Sequence, residues 1–455
     1  VEPAVAAYHG NRGVVYRTLQ RHDDAVASLK RARQLGPASH ELLNNLAMAL
    51  KDVGQHDAAV QTLDEALRLQ PDYATGYFNR GNVLLDVGRL DEAIASYRRA
   101  LALEPSDAGA YCKLGVAYYD LQRYDEALDA FDRALQIQPH YPEVRRNRAL
   151  VWLVRGEYDR AWREFEWRLE CEGFHKRVFP QPPWDGSPLA GRTLLVHREQ
   201  GLGDTLQFVR YAPLVEEAGG RALLEVQPAL WPLLRASGYG RWLVRLDGPL
   251  PPFDVHAPLM TLAGYLPDRG GQPVWRGEYL SADPVLVEQW RQRLAGEKGY
   301  RVGIVWAGNP DHPHDRFRSI ALSHWAPLGA IEGVRLISLQ KGAGLQQLAS
   351  EPASTNIVEL GNSLDDETGA FMDSAAVMKN LDLVITVDTS LAHLAGGLGV
   401  PVWVPLQLSP DWRWLAHGST TAWYPSMRLF RQRQFNDWPP VMGEIAQQLR
   451  SRIAH

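Results

Sequence analysis

The sequence predicts an α plus α/β protein, a helical repeat array followed by two α/β lobes, and three observations carry that prediction. Pro37, Pro71, Pro105 and Pro139 are spaced by 34 with small residues at fixed offsets between them, the mark of a repeated helix pair. Residues 192–211 read RTLLVHREQGLGDTLQFVRY, an apolar strand, a glycine turn and an amphipathic helix in that order. From Arg301 the alternation of strand and helix starts afresh and culminates in VDTSLAHLAGGLGVPVWVPL. Such alternation indicates parallel sheets, which place their chemistry at the carboxyl ends of the strands.

The 455 residues suit about three domains, and a composition 45% hydrophobic and 22% charged can bury large cores. A formal charge of -5 argues against a dominant nucleic-acid footprint. Cys112 and Cys171 are the only cysteines, so no disulfide framework is implied and a reducing compartment fits. Neither a signal peptide nor an apolar run of membrane-spanning length is read from the sequence. The expectation is a cytoplasmic, bacterial-type protein with no membrane span and no nucleic-acid partner. The chain starts at Val1, as a fragment or processed chain would.

Within the array, Ala25, Ala59, Ala93 and Ala127 lie 12 residues before the prolines, and Ala32, Ala66, Ala100 and Ala134 lie five before them. Gly13, Ala47, Gly81 and Gly115 lie 24 before them. Small residues in these columns let two antiparallel helices approach closely. Asp-Glu-Ala at 91–93 and 125–127 opens the second helix with carboxylates near its positive end. Ala149 and Ala161 keep the register of a fifth unit, but Arg168 replaces the next alanine and no closing proline follows, as expected of a capping repeat. These residues resemble the tetratricopeptide repeat family. A superhelix of four full repeats and a partial cap is expected over 1–172.

Asn11, Asn45, Asn79 and Asn147 share one further column, with Lys113 as the exception. A ladder of carboxamides on the concave face can bond both N–H and C=O groups of an extended peptide without reading its side chains. In this the column resembles the asparagine ladder of the O-GlcNAc transferase repeat domain. The alternative is asparagines at solvated positions that merely tolerate polar groups. Self-association through the repeats is a further expectation.

Residues 173–189 hold four prolines and Trp184 and read as a stiff connector. A first lobe is expected over 190–288, with strands at Thr193–Val196, Ala222–Val226 and Trp242–Leu246 and an apolar segment at Val255–Leu262. In it Gly201 and Gly203 make the turn, and Asp204 either caps the following helix or faces a reacting oxygen. Gly201-x-Gly203 lacks the third glycine of a dinucleotide fingerprint, although Glu225 sits where a ribose-binding acid would. The second lobe, 289–435, has strands at Val302–Ala307, Val334–Leu339, Asn356–Glu359, Leu383–Val387 and Val400–Val404. Residues 436–455 read as a helix packing back across the lobes.

In the second lobe Asp388, Thr389, Ser390 and His393 follow a strand and open a helix, a geometry that suits a diphosphate. Arg316, Arg318 and Ser319 follow the lobe's first strand, and Lys341 follows the next. Cations at successive strand ends suit a leaving nucleoside diphosphate. Asp311, His312, His314 and Asp315 are interrupted by Pro313, and no metal site is expected. Trp412 and Trp414, after Ser409-Pro410-Asp411, could stack on a base or sugar or could fill core.

The glycine-aspartate turn, the 387–406 motif and SPDWRW together resemble the heptosyltransferase-like family of glycosyltransferases over residues 190–455. That resemblance implies a GT-B fold, a pair of Rossmann-like lobes, and metal-independent, inverting transfer from a nucleotide sugar without any cofactor. It implies Asp204 as general base, and it places Arg318, Ser319, Lys341, Asp388, Thr389, Ser390 and His393 on the donor. Gly203, Gln207, Asn309 and Trp412 are secondary donor or acceptor contacts. The chain departs from the family at Thr389-Ser390-Leu391, where members commonly show Ser or Thr followed by Gly. A peptide groove fused to such a module suggests a protein or peptide acceptor. The alternatives are a lipopolysaccharide heptosyltransferase-like enzyme using its repeats for assembly, and a non-catalytic peptide-binding scaffold. A carboxylate at a helix N-terminus is expected to titrate low, which weakens it as a base.

Overall fold

The computed structural model describes residues 3–174, 177–199, 201–245, 249–266, 271–312, 315–350, 356–360 and 364–454. The chain forms two compact units, residues 1–151 with 170–172, and residues 152–169 with 173–455.

The first unit is a run of antiparallel helix pairs: α1 (Pro3–Thr18) with α2 (His22–Leu35), α3 (His40–Asp52) with α4 (His56–Leu69), α5 (Ala74–Asp86) with α6 (Leu90–Leu103), and α7 (Ala108–Asp120) with α8 (Tyr124–Ile137), followed by α9 (Pro142–Val154). Each 34-spaced proline falls just past the second helix of a pair, where no further helical N–H is needed. The alanine columns are buried, with Ala25, Ala59, Ala93 and Ala127 all at 0% exposure. A Cβ at Gly81 would lie 2.5 Å from the Tyr97 ring, and one at Gly115 2.5 Å from Phe131. The missing side chain is therefore what admits an aromatic ring from the facing helix. Successive pairs stack through α2 on α3, α4 on α5 and α6 on α7. Ion pairs follow the same register, Arg17 to Asp52 at 2.5 Å and Lys51 to Asp86 at 2.9 Å.

The second unit opens with α10 (Tyr158–Phe165) and a 3-10 turn at Glu166–Glu170. The sequence reading assigned these residues to the capping repeat, and in the structure Trp152–Leu169 cluster with the α/β unit. The reason is chemical. The Trp162 indole donates to Gly271 O at 2.8 Å, and buried Arg168 bonds Glu199 at 2.9 Å and Glu166 at 2.6 Å. The residue that broke the alanine column is thus an anchor for the lobe. The proline-rich segment is fixed to the first lobe: Pro183 bridges His256, Trp184 N donates to His256 O at 2.8 Å, and Trp184 is buried.

In the first lobe β1 (Thr193–His197), α11 (Leu202–Phe208), α12 (Ala212–Glu217), β2 (Arg221–Glu225), α13 (Trp231–Ala236), β3 (Leu243–Val244), β4 (Val255–Pro258) and α14 (Thr261–Tyr265) follow in order. The described strands form a parallel sheet ordered β3-β2-β1-β4, with His197 level with Glu225 and Pro258. Residues 271–283 lead to α15 (Pro284–Arg293) and the second lobe. There β5 (Tyr300–Val305), α16 (Asp315–Arg318), α17 (Ala326–Gly329), β6 (Val334–Ser338), α18 (Gln346–Ser350), β7 (Ile357–Glu359), α19 (Met372–Met378), β8 (Leu383–Thr386), α20 (Ser390–Gly397), β9 (Val402–Leu406), β10 (Met427–Arg431) and α21 (Pro439–Ile453) follow.

The second sheet is ordered β10-β9-β8-β5-β6-β7, all neighbours parallel. Numbered within the lobe this is the doubly wound 3-2-1-4-5-6, whose order reverses between β5 and β8 and leaves a crevice at their carboxyl ends. Strand β10 was not expected, because Arg428 and Arg431 break its apolar run. Among the described residues, α21, expected to pack across the lobes, packs chiefly on the second. Val441, Met442, Ile445, Ala446 and Leu449 join Trp325, Leu328, Trp403 and Phe430 in the second-lobe core.

Candidate active site at the facing strand ends

Both sheets present their carboxyl ends where α11 packs on α20. Gly201 has an ordinary extended backbone, φ -82 and ψ 142, so the expected glycine-dependent turn is absent at that position. Gly203 is required for proximity instead: a Cβ there would lie 3.1 Å from His393 Cδ2 and 3.5 Å from Ser390 Cα.

Asp204 fills the first of the two roles the sequence allowed, and its second oxygen is engaged by Arg413. One carboxylate oxygen accepts from Gly201 N at 3.3 Å and caps α11. The other accepts from Arg413 Nη2 at 2.5 Å. Its side chain is 28% exposed, yet the carboxylate is ringed by protein. Desolvation raises its pKa above the ordinary value against the pull of Arg413, with Glu199 and Asp411 adding repulsion and the Gly201 N–H opposing. The expected lowering at the helix N-terminus is overturned because one amide and one guanidinium do not offset that burial.

Arg413 was missed, although Asp411-x-Arg413 was legible between the tryptophans. Its Nη1 bonds both Asp411 oxygens at 2.9 and 3.1 Å, and its Nε donates to Gln207 Oε1. Gln207 therefore positions Arg413, while its own Nε2 is buried without a partner. Trp412 fills core rather than facing a ligand: it is 3% exposed and packs edge-on to Trp162 at 5.4 Å and to Trp423 at 6.0 Å.

Across the crevice, Asp388 follows β8. Burial and the neighbouring Asp411 push its carboxyl up to about 6, against Trp414, Arg318 and Arg413. Arg318 donates through Nη1 to Asp388 O at 2.9 Å and through Nε to Asp315 at 3.0 Å. The Ser319 hydroxyl donates to Asp315 at 2.8 Å and accepts from Gly308 N at 2.9 Å. It ties its own loop together, which corrects its expected donor role. Asn309 likewise closes a turn by accepting from Asp311 N at 3.1 Å. Thr389 begins α20 with no side-chain cap bond, its Oγ1 3.4 Å from Thr386 Oγ1, and Ser390 is the first helical residue. The first amides of such a helix lack intrahelical partners.

His393 is turned into the interior. Its Nδ1 lies 2.8 Å from Tyr424 Oη and its ring stacks on Trp414 with centroids 5.4 Å apart. Burial, with Arg413 and Arg210 nearby, lowers its pKa well below the usual value, so the ring is neutral. Its expected donor contact is corrected to a packing role. Lys341 bonds Leu364 O and Asp366 Oδ1, the latter at 2.7 Å. It therefore shares the sheet edge with Arg318 but is engaged by a different loop. Glu225 is fully buried and held by Arg177, which takes it out of reach of a ribose.

A second missed residue is Arg210. It donates to Gln207 O at 2.7 Å, Trp423 O at 2.9 Å and Tyr279 Oη at 2.7 Å, with the Tyr279 and Tyr424 ring centroids 4.2 and 4.7 Å from its guanidinium. It pins the first lobe to the second with carbonyls and aromatic faces rather than a carboxylate.

In the repeat unit, Asn79 Nδ2 donates to Asn44 Oδ1 at 2.8 Å and Asn147 Nδ2 lies 3.9 Å from Cys112 Sγ. Both reach 35 residues back into the preceding repeat. Those two carboxamides therefore bind repeat to repeat, which takes them out of the expected peptide ladder. Asn11 is exposed, and Asn45 lines a cavity of about 390 Å³ with Val14, Arg17, His22 and Asp52. Among the described residues no three His, Cys, Asp or Glu side chains converge as metal ligands, and no helix is long and apolar enough to cross a membrane. Pro313 and His314 lie outside the described residues.

Residues 44–108, 78–142 and 112–166 match a tetratricopeptide repeat family model. Protein FlbA of Caulobacter vibrioides is 28% identical over 339 residues, 68% of this chain and 55% of that protein. The chain thus spans about half the length of that curated relative. A crystal structure of MamA is 27% identical, covering 35% of this chain and 92% of its own with a TM-score of 0.32. YrrB, described as a TPR protein with an unusual peptide-binding site, is 26% identical over 30% of this chain and 72% of its own, with a TM-score of 0.29. The N-terminal region of this chain carries tetratricopeptide repeats.

Proposed function

We propose that the chain is an inverting, metal-independent glycosyltransferase of GT-B type, moving a sugar from a nucleotide-sugar donor to a protein or peptide acceptor bound by the repeats. One observation carries the reading: a first-lobe carboxylate, Asp204, meets Arg413 at the edge where the strands of both sheets end, with Asp388 and Arg318 on the same edge. In the proposed step the acceptor oxygen bonds the anomeric carbon and its proton passes to Asp204. The bond from that carbon to the diphosphate breaks, and its electron pair leaves on the phosphate oxygen. Burial supports Asp204 as a base by raising its proton affinity. The protein-acceptor part is supported by the tetratricopeptide repeats, a fold able to hold extended chains.

Donor consumption with a panel of sugar nucleotides, read with mass spectrometry of co-expressed proteins, tests the reading. Asp204→Asn should lower turnover by about 10²- to 10⁴-fold with unchanged circular dichroism. Full turnover in that variant removes the base. No donor consumption by the unmodified chain leaves the second reading, a peptide-binding scaffold, which the Asp204–Arg413 pairing favours because it occupies the base.

A further inference from the structure

We propose that Arg413 is a latch on the candidate base, a guanidinium that pairs with Asp204 until a diphosphate competes for it and so frees the carboxylate for the acceptor. This rests on the sugar-transfer reading and adds a regulation of the same site.

The geometry is that of a releasable pair. Arg413 reaches Asp204 through Nη2 alone. Its Nη1 is held by both oxygens of Asp411, its Nε by Gln207, and its guanidinium carbon lies 4.5 Å from the Trp412 ring centroid. Nη2 also lies 3.6 Å from Met260 Sδ, so breaking the Asp204 contact leaves the side chain anchored at four other places, with a donating N–H still directed at the crevice. The charges set up the competition. Four carboxylates, Asp204, Asp315, Asp388 and Asp411, face two guanidiniums, Arg318 and Arg413, which leaves two negative charges in excess. An entering diphosphate adds further negative charge and has those same guanidiniums as its strongest partners, since charge-assisted bonds to phosphate are short and strong. Each contact it gains on Arg413 comes at the expense of Asp204. The released carboxylate loses its nearest cation and holds a proton more readily. Base strength thus rises when the donor is in place, a sequence that a permanently free carboxylate would not provide.

The test uses inorganic pyrophosphate as the probe, titrated calorimetrically into the full chain and into Asp204→Asn, Arg413→Ala, Arg413→Lys and the Asp204→Asn/Arg413→Ala double variant. Removing the competing carboxylate should tighten pyrophosphate by about 3- to 10-fold, and that gain should vanish when Arg413 is alanine, the signature of a coupled pair. A purely structural Arg413 would not produce such a gain. If Arg413→Ala fails to fold, Arg413→Lys serves, with the gain reduced but present because a point charge replaces the fork. Unchanged affinity in Asp204→Asn overturns the latch and leaves the donor site standing. Absence of pyrophosphate binding to the unmodified chain removes the donor site, and the latch with it.

Discussion

The repeat unit and the α/β unit are held by contacts of different reach. In the repeats, partners sit at fixed short separations: Arg89 to Glu92 three residues apart, Arg80 to Ser96 sixteen apart, Arg17 to Asp52 thirty-five apart. In the α/β unit, Asp204 and Arg413 are 209 residues apart, and Arg210 and Trp423 are 213 apart. A repeated sequence encodes its own contacts, because each pair recurs at the same offset. A lobed sheet brings together residues with no sequence relation. The difference predicts separable behaviour, with local units that open piecemeal against a lobe pair that depends on a few long-range pins.

The largest effect should come from removing such a pin. Arg210→Met strips donors from Trp423 O, Gln207 O and the Tyr279 hydroxyl inside a closed aromatic cage. Leaving buried acceptors unsatisfied should cost about 3 kcal/mol or more in sum. All 15 tryptophans lie at position 152 or beyond, and all but Trp152 lie past α9, so tryptophan fluorescence in urea reports chiefly the α/β unit. The fluorescence midpoint should fall while the rest of the far-UV signal, carried by the repeat helices, holds its place. A common shift of both signals would show that the two units unfold as one.

Next in size is a pH effect confined to the same unit. The folded Asp388 carboxyl titrates at about 6, above its unfolded value, so the native state binds the extra proton between those two pKa values. Its contribution to stability is present below the unfolded pKa and is lost as pH rises through about 6. His393, lowered by burial, acts in the opposite sense: it adds stability above the unfolded histidine pKa that is lost as pH falls. The difference between unmodified chain and Asp388→Asn isolates the first effect. Fluorescence-detected stability should drop more between pH 4 and 6.5 in the unmodified chain, and parallel curves would place Asp388 outside the crevice.

The same contrast explains what was legible. The helix pairs, their turns and the small-residue columns followed from spacing alone, since Pro37 through Pro139 and Gly81 opposite Tyr97 are local relations. Most of the parallel strands through Val404 followed from apolar runs, whereas β4 lay in a stretch read only as an apolar segment. Arg428 and Arg431 hid β10. Asp204 was visible as a carboxylate after a strand, but its partner Arg413 was not, because nothing in either segment names the other. Ser319 and Asn309 looked available and are committed to their own loops, a matter of hydrogen-bond satisfaction that residue type does not disclose. Arg168 looked like a failed repeat and is a salt-bridged anchor of the lobe.

Within the repeats, effects should be smaller and local. Gly81→Ala forces a methyl against Tyr97, at about 1–3 kcal/mol for overpacking less about 1 kcal/mol gained in helix propensity. Circular dichroism melts should show that net loss with the tryptophan signal unmoved. The chain contains the compensating pair elsewhere, Ala47 with Leu63 at the same spacing, both fully buried. Gly81→Ala/Tyr97→Leu should therefore recover part of the loss. Failure to recover would mean that Tyr97 matters more through its hydroxyl, which donates to Asn82 at 2.9 Å, than through its ring.

The finest test divides the asparagine column. Asn79→Ala leaves the buried Asn44 carbonyl oxygen without its donor, which should cost about 1 kcal/mol in a helix-detected melt. Asn45 lines an open cavity, so Asn45→Ala should change stability by less than about 0.5 kcal/mol while weakening capture of extended, unstructured peptides measured by fluorescence polarisation. The two variants thus separate a carboxamide that joins repeats from one that faces solvent at the same register. Equal losses of stability would make the whole column a device for stacking repeats, and the peptide groove would then have to be sought on another face of the array.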